Sequence, residues 1–276
     1  GDNGWMGLGH SGEATTDAKG EFSFAALAPG SVVLSAEDGE HAPTRSLPVT
    51  VADRPVTGIT ITMKEGGSIA GKVVDTKGAG VPYATIRVAA KAAMQEMTPG
   101  RQAVADAKGA FEVRGLPRSK IQVRASSEDA SSKLADFDLA PKPAQKDLSL
   151  VLDETGTISG VVVDEAGKPV PEIQVTAIAD FFSTERVTLA GVQSATTDGA
   201  GAFTLKGLPD GSYRLHAARS SGGINAWDAT GTAAKPGDKN VKLTLPSPAT
   251  LVGKIALEGG AAPKLANIML GYHPAT

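Results

Sequence analysis

Thr196-Thr197-Asp198-Gly199-Ala200-Gly201-Ala202-Phe203-Thr204-Leu205 reads as a tight turn leading into a strand, and the chain repeats that grammar three times. Thr15-Thr16-Asp17-Ala18-Lys19-Gly20-Glu21-Phe22-Ser23-Phe24 and Val104-Ala105-Asp106-Ala107-Lys108-Gly109-Ala110-Phe111-Glu112-Val113 are the other copies. Their aspartates lie 89 and 92 residues apart. In an Asp-x-x-Gly turn the carboxylate accepts backbone N–H groups while the glycine takes a positive φ, which predicts a hairpin with a bulge. A Leu-containing turn follows each copy: Leu27-Ala28-Pro29-Gly30, Gly115-Leu116-Pro117-Arg118 and Gly207-Leu208-Pro209-Asp210-Gly211.

A second signature keeps the same period. Gly67-Ser68-Ile69-Ala70-Gly71-Lys72-Val73-Val74-Asp75 matches Gly156-Thr157-Ile158-Ser159-Gly160-Val161-Val162-Val163-Asp164 and Ala249-Thr250-Leu251-Val252-Gly253-Lys254-Ile255-Ala256-Leu257. Its central glycines are 89 and 93 residues apart. Two signatures sharing one period define an internal repeat of about ninety residues. Within each repeat Gly-Pro turns separate short period-two segments such as Ala84-Thr85-Ile86-Arg87-Val88, Ile121-Gln122-Val123-Arg124-Ala125 and Leu148-Ser149-Leu150-Val151-Leu152. Six or seven strands per repeat predict an all-β fold of tandem antiparallel β-sandwich domains.

Composition agrees. The 276 residues include 33 glycines and 17 prolines but only 4% aromatics, which suits short strands and turns. A net charge of -3, spread along the chain, provides no footprint for nucleic acid. No apolar run is long enough to span a bilayer. Cysteine is absent, so disulfides, thiolate metal sites and a cysteine nucleophile are excluded.

The order Gly-x-Val-x-Asp, Gly-x-Pro-Val-Pro, Thr-Asp-x-x-Gly-x-Phe, Gly-Leu-Pro-x-Gly-x-Tyr resembles the carboxypeptidase regulatory-like domain. Residues 156–217 carry it almost completely, and residues 67–125 carry it with Arg118 and Ile121 in place of Gly and Tyr. Residues 15–36 hold its second half and residues 249–272 its first. The resemblance implies a transthyretin-like (prealbumin-like) sandwich, similar to the B-type repeats of collagen adhesins. It also implies no shared catalytic residues, a secreted, cell-surface or periplasmic setting, and accessory, stalk or adhesion roles. Collagen-adhesin-like domains often hold a Lys–Asn isopeptide bond, but no Asn stands in the matching last strands, so no internal cross-link is expected.

These features divide the chain into 1–65, the second half of a repeat; 66–154 and 155–247, two complete repeats; and 248–276, the first strands of a further repeat. The end pieces together make one nearly whole domain. Either the chain is an excerpt of a longer array, or the ends complement one another, within one molecule or between molecules. The expected partners are neighbouring copies of the chain or adjacent domains, and a glycan or surface protein for an adhesion role.

Chemistry is sparse. His10, His41, His216 and His273 have no second ligand at zinc-site spacing. Gly9-His10-Ser11-Gly12-Glu13 misses the last glycine of a nucleophile elbow. The Asp-x-x-Gly turns lack the clustered oxygen ligands that Ca²⁺ requires. No catalytic residue, metal or cofactor is therefore expected. One loop stands out, Ile178-Ala179-Asp180-Phe181-Phe182-Ser183-Thr184-Glu185-Arg186. Phe181, Phe182, Arg186 and the later Trp227 are candidate binding residues, although the expected place for the aromatic rings of Phe181, Phe182 and Trp227 is the sandwich core.

Overall fold

The computed structural model describes residues 12–91, 100–180, 182–185, 187–219, 231–246 and 252–255. All regular structure among them is β. Six short strands come first: β1 (Gly30–Val32), β2 (Ser35–Ala36), β3 (His41–Ala42), β4 (Thr44–Arg45), β5 (Val49–Val51) and β6 (Lys64–Glu65). They pair as β1 with β5, β2 with β4 and β3 with β6. None of the described residues 12–65 is buried.

The next stretch closes a sandwich. It comprises β7 (Gly67–Val74), β8 (Thr85–Ala90), β9 (Arg101–Val104), β10 (Ala110–Leu116), β11 (Lys120–Ser126), β12 (Ser131–Ser132), β13 (Ala135–Asp138) and β14 (Ala144–Glu154). One layer runs β10-β7-β14 and the other contains β9-β8-β11, with β13 beside β11; the two-residue β12 links the layers along β14. Alternation along the strands decides what lies between them. In β7, Ile69 and Val73 point inward and Lys72 faces water. They join Ile86, Val88, Phe111, Val113, Ile121, Val123, Leu150 and Leu152 in one core. Each fully buried aliphatic side chain contributes about 1.5–3 kcal/mol.

The pattern then recurs in β15 (Gly156–Val163), β16 (Gln174–Ala179), β17 (Gln193–Thr196), β18 (Ala202–Leu208), β19 (Tyr213–Ala218), β20 (Thr232–Ala234) and β21 (Val241–Thr244). Its layers are β18-β15-β21 and β17-β16-β19-β20. Ile158, Val162, Val175, Phe203, Leu205, Tyr213, Leu215 and Leu243 fill its core. The Tyr213 hydroxyl, deep in that core, donates to Pro209 O at 2.9 Å, so its polar end is satisfied.

Two features differ from the expectation of hairpin-linked antiparallel strands. The Asp-x-x-Gly turns form as predicted: Asp106 Oδ1 accepts Lys108 N and Ala110 N, both at 2.8 Å, and Gly109 has φ 79°. Asp198 does the same for Ala200 N and Ala202 N, at 2.9 Å each. Yet the turn does not make a hairpin. β9 pairs with β8 and β10 with β7, so the chain crosses here from one layer to the other. The crossing lets Phe111 and Ala103 face one core from opposite sheets.

The second difference is that the first and last strands of each sandwich are parallel. β7 pairs with β14 and β15 with β21 in that sense. A parallel first and last strand means that the chain leaves a sandwich at the end opposite to its entry. The glycine of the repeat signature sits in this pairing. A Cβ on Gly71 would lie 2.1 Å from Leu148 O, and one on Gly160 would lie 2.0 Å from Val241 O. Only glycine allows the last strand to approach so closely.

Candidate functional site

Because entry and exit lie at opposite ends, successive units meet end to end, and the junctions are the most elaborate features outside the cores. One residue, Gly66, separates β6 from β7, and one residue, Thr155, separates β14 from β15. Such short connections leave no flexible linker.

The junctions use corresponding parts. At the first, Gly66 N donates to Glu40 O at 3.2 Å, and the Arg101 guanidinium donates to the carbonyls of Asp38 and His41. Gly115, with φ 64°, packs so closely that a Cβ would lie 2.9 Å from His41 O. At the second, the equivalent Gly207, φ 67°, lies against Ala130, where a Cβ would be 2.8 Å from its backbone nitrogen. Ser131 Oγ donates to Gly207 O at 2.7 Å. The strand pairs beside them also correspond: His41 lies opposite Glu65, and Ser131 opposite Glu154.

Electrostatics separate the two. The first junction has exposed pairs, Arg114 with Glu40 at 3.2 Å and Arg118 with Glu65 at 2.6 Å. Its Asp38 carboxylate accepts the backbone N–H groups of His41 and Glu40, which hold its pKa down at about 2. The second junction buries an ion pair, Arg124 with Glu154 at 3.5 Å, and Arg124 Nη1 also donates to Thr188 O at 3.1 Å. Burial pushes the Glu154 carboxyl up, against the pull of Arg124, and pushes the Arg124 guanidinium down. Desolvation of a charge pair offsets much of its Coulomb attraction, so this contact specifies geometry more than it adds stability.

A polar cleft of about 250 Å³ opens beside the second junction. Arg87 lies in it, donating to Ser126 Oγ at 2.8 Å, with Glu128 and Gln193 nearby on the two units. Tyr83 is at its rim, 69% exposed and held at φ 57°. A non-glycine residue at positive φ is strained, and the corresponding residue of the next sandwich, Glu172, shares the conformation. Sequence reading missed Tyr83; the signal was an aromatic directly after the Val81-Pro82 turn.

The loop singled out from sequence is only partly described. Phe181, Arg186 and Trp227 lie outside the described residues. Phe182 does not fill the core: it is 71% exposed. Asp180 explains this. Its carboxylate accepts Arg214 Nε at 2.8 Å and the Phe182 backbone N–H at 3.1 Å, which turns the chain outward just before the ring. Glu185 ties the far side of the loop through its ion pair with Lys235. Phe182 is not among the residues that line the cleft.

Among the described residues no group of three or more His, Asp or Glu could hold a metal ion, and no helix is long and apolar enough to cross a membrane.

No curated protein matches the sequence. Three solved structures illustrate the fold likeness. The shaft pilin SpaA of Lactobacillus rhamnosus GG is 12% identical, with 68% of this chain and 99% of that one covered at a TM-score of 0.27. The minor pilin GBS52 of Streptococcus agalactiae is 14% identical, covers 69% and 100%, and has a TM-score of 0.30. The TIE protein of Bacillus anthracis is 15% identical, covers 84% and 48%, and has a TM-score of 0.25. At these scores the likenesses carry no argument about what the chain does. The sequence match is stronger evidence, because the profile of the carboxypeptidase regulatory-like domain fits residues 68–152 and again 157–246. With two tandem matches that together cover more than half of its length, the chain belongs to the carboxypeptidase regulatory-like domain family.

Proposed function

We propose that the chain is a non-catalytic structural array of a secreted or cell-surface protein, whose task is to space and transmit force along a stalk, layer or filament. In this reading 66–154 and 155–247 are its complete repeats, and 1–65 and 248–276 are partial ones. The observation that carries it is the junction built twice from corresponding parts, with one-residue connections and a positive-φ glycine packed against the preceding unit. A protein that only displayed a binding loop would not need neighbouring units held in register. Pulsed dipolar spectroscopy tests this directly. Spin labels at Lys77 and Lys239, both exposed, give one narrow distance distribution if the junction is stiff. A broad distribution sinks the spacer reading.

A second reading, a glycan- or protein-binding module, is favoured by the outward ring of Phe182 and by the strained, exposed Tyr83. Aromatic faces held in water are typical anchors for such partners. Screening immobilised glycans and surface proteins with the intact chain and with Phe182→Ala and Tyr83→Ala separates the readings. Binding lost in either variant supports the module, and the absence of binding by the intact chain removes it.

A further inference from the structure

Arg87 on β8 and Arg124 on β11 are direct cross-strand partners. Their neighbours Ile86, Val88, Val123 and Ala125 point into the first core, so alternation puts both arginines on the opposite face of the sheet. Like charges in that position repel. Arg124 has Glu154 at 3.5 Å, whereas Arg87 makes no ion pair among the described residues. Its guanidinium donates there through Nη1 alone, to Ser126 Oγ at 2.8 Å, which leaves Nε and Nη2 as donors. Burial pushes the Arg87 guanidinium down, with no carboxylate acting against it. The following sandwich covers this cation with Gly191, where a Cβ would lie 3.0 Å from Nη1 and 3.3 Å from both Cζ and Nη2.

The repeat itself does not require these residues. The corresponding cross-strand partners in the following sandwich are Thr176 and His216, and Thr176 Oγ1 hydrogen-bonds Ser194 Oγ at 3.1 Å. Tyr83 likewise shares its φ of 57° with the exposed Glu172, so the backbone calls for an outward residue there and not for an aromatic one. The fold thus accounts for neither the unbalanced guanidinium nor the exposed ring, and both line one cleft. Its other walls are polar, with Thr85, Ser127 and Gln193 inside and the exposed Glu128 at the edge. Val192 is the one aliphatic side chain that lines it.

We propose that this cleft binds an acidic sugar residue, of the hexuronate class, with its carboxylate on Arg87 and its ring against Tyr83. The Nε–Nη2 edge of Arg87 presents two parallel N–H groups that match a carboxylate. Tyr83 offers a flat face to the C–H side of the sugar ring. Glu128 accepts from ring hydroxyls, while Thr85 and Gln193 both donate and accept. A volume of about 250 Å³ is at the small end for ligand sites, which suits one ring rather than an extended chain. An acidic peptide is the poorer occupant. Glu128 repels it, and Val192 alone gives an anchoring side chain little apolar wall to pack on. The proposal rests on the binding-module reading and narrows it to one site, so it can fail while that reading stands.

Amide spectra of the intact, isotope-labelled chain titrated with glucuronate test it. Glucose serves as the neutral counterpart, acetate as the bare carboxylate and tetraglutamate as the acidic peptide. Glucuronate is expected to shift the amides of residues 83–87 and 191–193, and to bind about tenfold or more tighter than each of the other three. Arg87→Met is expected to weaken glucuronate binding by about tenfold or more. It should not lower the melting temperature, because it removes one of two facing cations. Tyr83→Ala, at an exposed position, is expected to keep the fold and weaken glucuronate binding by about threefold or more. Equal binding of glucose, acetate or tetraglutamate, unchanged affinity in Arg87→Met or Tyr83→Ala, or no shift at the cleft would each overturn the assignment. Shifts confined to the surroundings of Phe182 would overturn it too, and would leave the binding-module reading in place.

Discussion

The two closed sandwiches and the unit formed by residues 12–65 share turns, alternation and signature residues, but differ in what those residues achieve. Phe111 and Phe203 are 6% and 4% exposed, while Phe22 in the same place is only half-buried and meets Phe24 edge-on at 6.1 Å. The Asp17 turn is as well made as the Asp106 and Asp198 turns, with Oδ1 accepting Lys19 N at 2.8 Å and Glu21 N at 2.9 Å. Local chemistry thus forms with or without the tertiary fold, whereas strands form only when a partner is present. A turn closes its hydrogen bonds within a few residues. A strand leaves its donors and acceptors to a neighbour that can be far away in sequence.

The largest test of this contrast replaces the buried glycine. Gly71→Val pushes a side chain into Leu148 O and is expected to destabilise the first sandwich by about 3 kcal/mol or more, measured by urea unfolding. Gly253→Val, with open space around it, is expected to leave the same unfolding curve unchanged. A comparable cost at both sites would erase the contrast.

Truncating the signature aromatic comes next. Phe203→Ala should cost about 3–5 kcal/mol, and Phe22→Ala well under half of that, because a half-exposed ring loses less burial. Calorimetry resolving the separate transitions compares the two.

The junctions provide a smaller effect. Arg124→Met leaves Glu154 partly buried without its counter-ion and is expected to cost about 2 kcal/mol, since removing one member of a buried pair strands the other. Adding Glu154→Gln should recover most of it. Arg114→Met at the first junction removes only exposed pairs, with Glu40 and Glu112, and should have no measurable effect on thermal melting.

Acid distinguishes the junctions most finely. Glu154 has a raised folded-state pKa, so the folded protein binds its proton more tightly than the unfolded chain does. Its contribution is therefore fully present below the ordinary value of 4.5 and is lost as pH rises through the raised value. Asp38 is the reverse: its contribution is present above 3.8 and is lost as pH falls through about 2. Lowering the pH from 7 to 4 should raise the amide-exchange protection factors, corrected for the intrinsic pH dependence of exchange, at the second junction and leave those of the first unchanged. Lower protection factors around Glu154 on acidification would contradict the assignment.

Much of this was legible without coordinates. The repeat period, the strand segments and the Asp-x-x-Gly turn chemistry follow from residues close together in the chain, as at Asp106 and Gly109. The candidate site was far less legible. Phe182 faces outward because Asp180 is held by Arg214, 34 residues later, a contact that alternation around the phenylalanine does not reveal. Tyr83 escaped notice because its importance lies in a backbone angle and in the cleft beside it. The junction partners Gly115 and Gly207 were visible as turn glycines, but not as the points where one unit packs on the previous one.

By itself, then, the sequence determined the all-β class, the ninety-residue repeat, the turns and which residues alternate toward a core. Those depend on backbone preferences and side-chain periodicity over spans of ten residues or fewer. Only the tertiary structure decided that the aspartate turn crosses between sheets, that first and last strands run parallel, and that units join through a one-residue connection. Each of these is a choice of hydrogen-bonding partner between segments tens of residues apart. Such choices are settled by which arrangement buries both apolar faces at once, and by the two glycines that let the last strand come close.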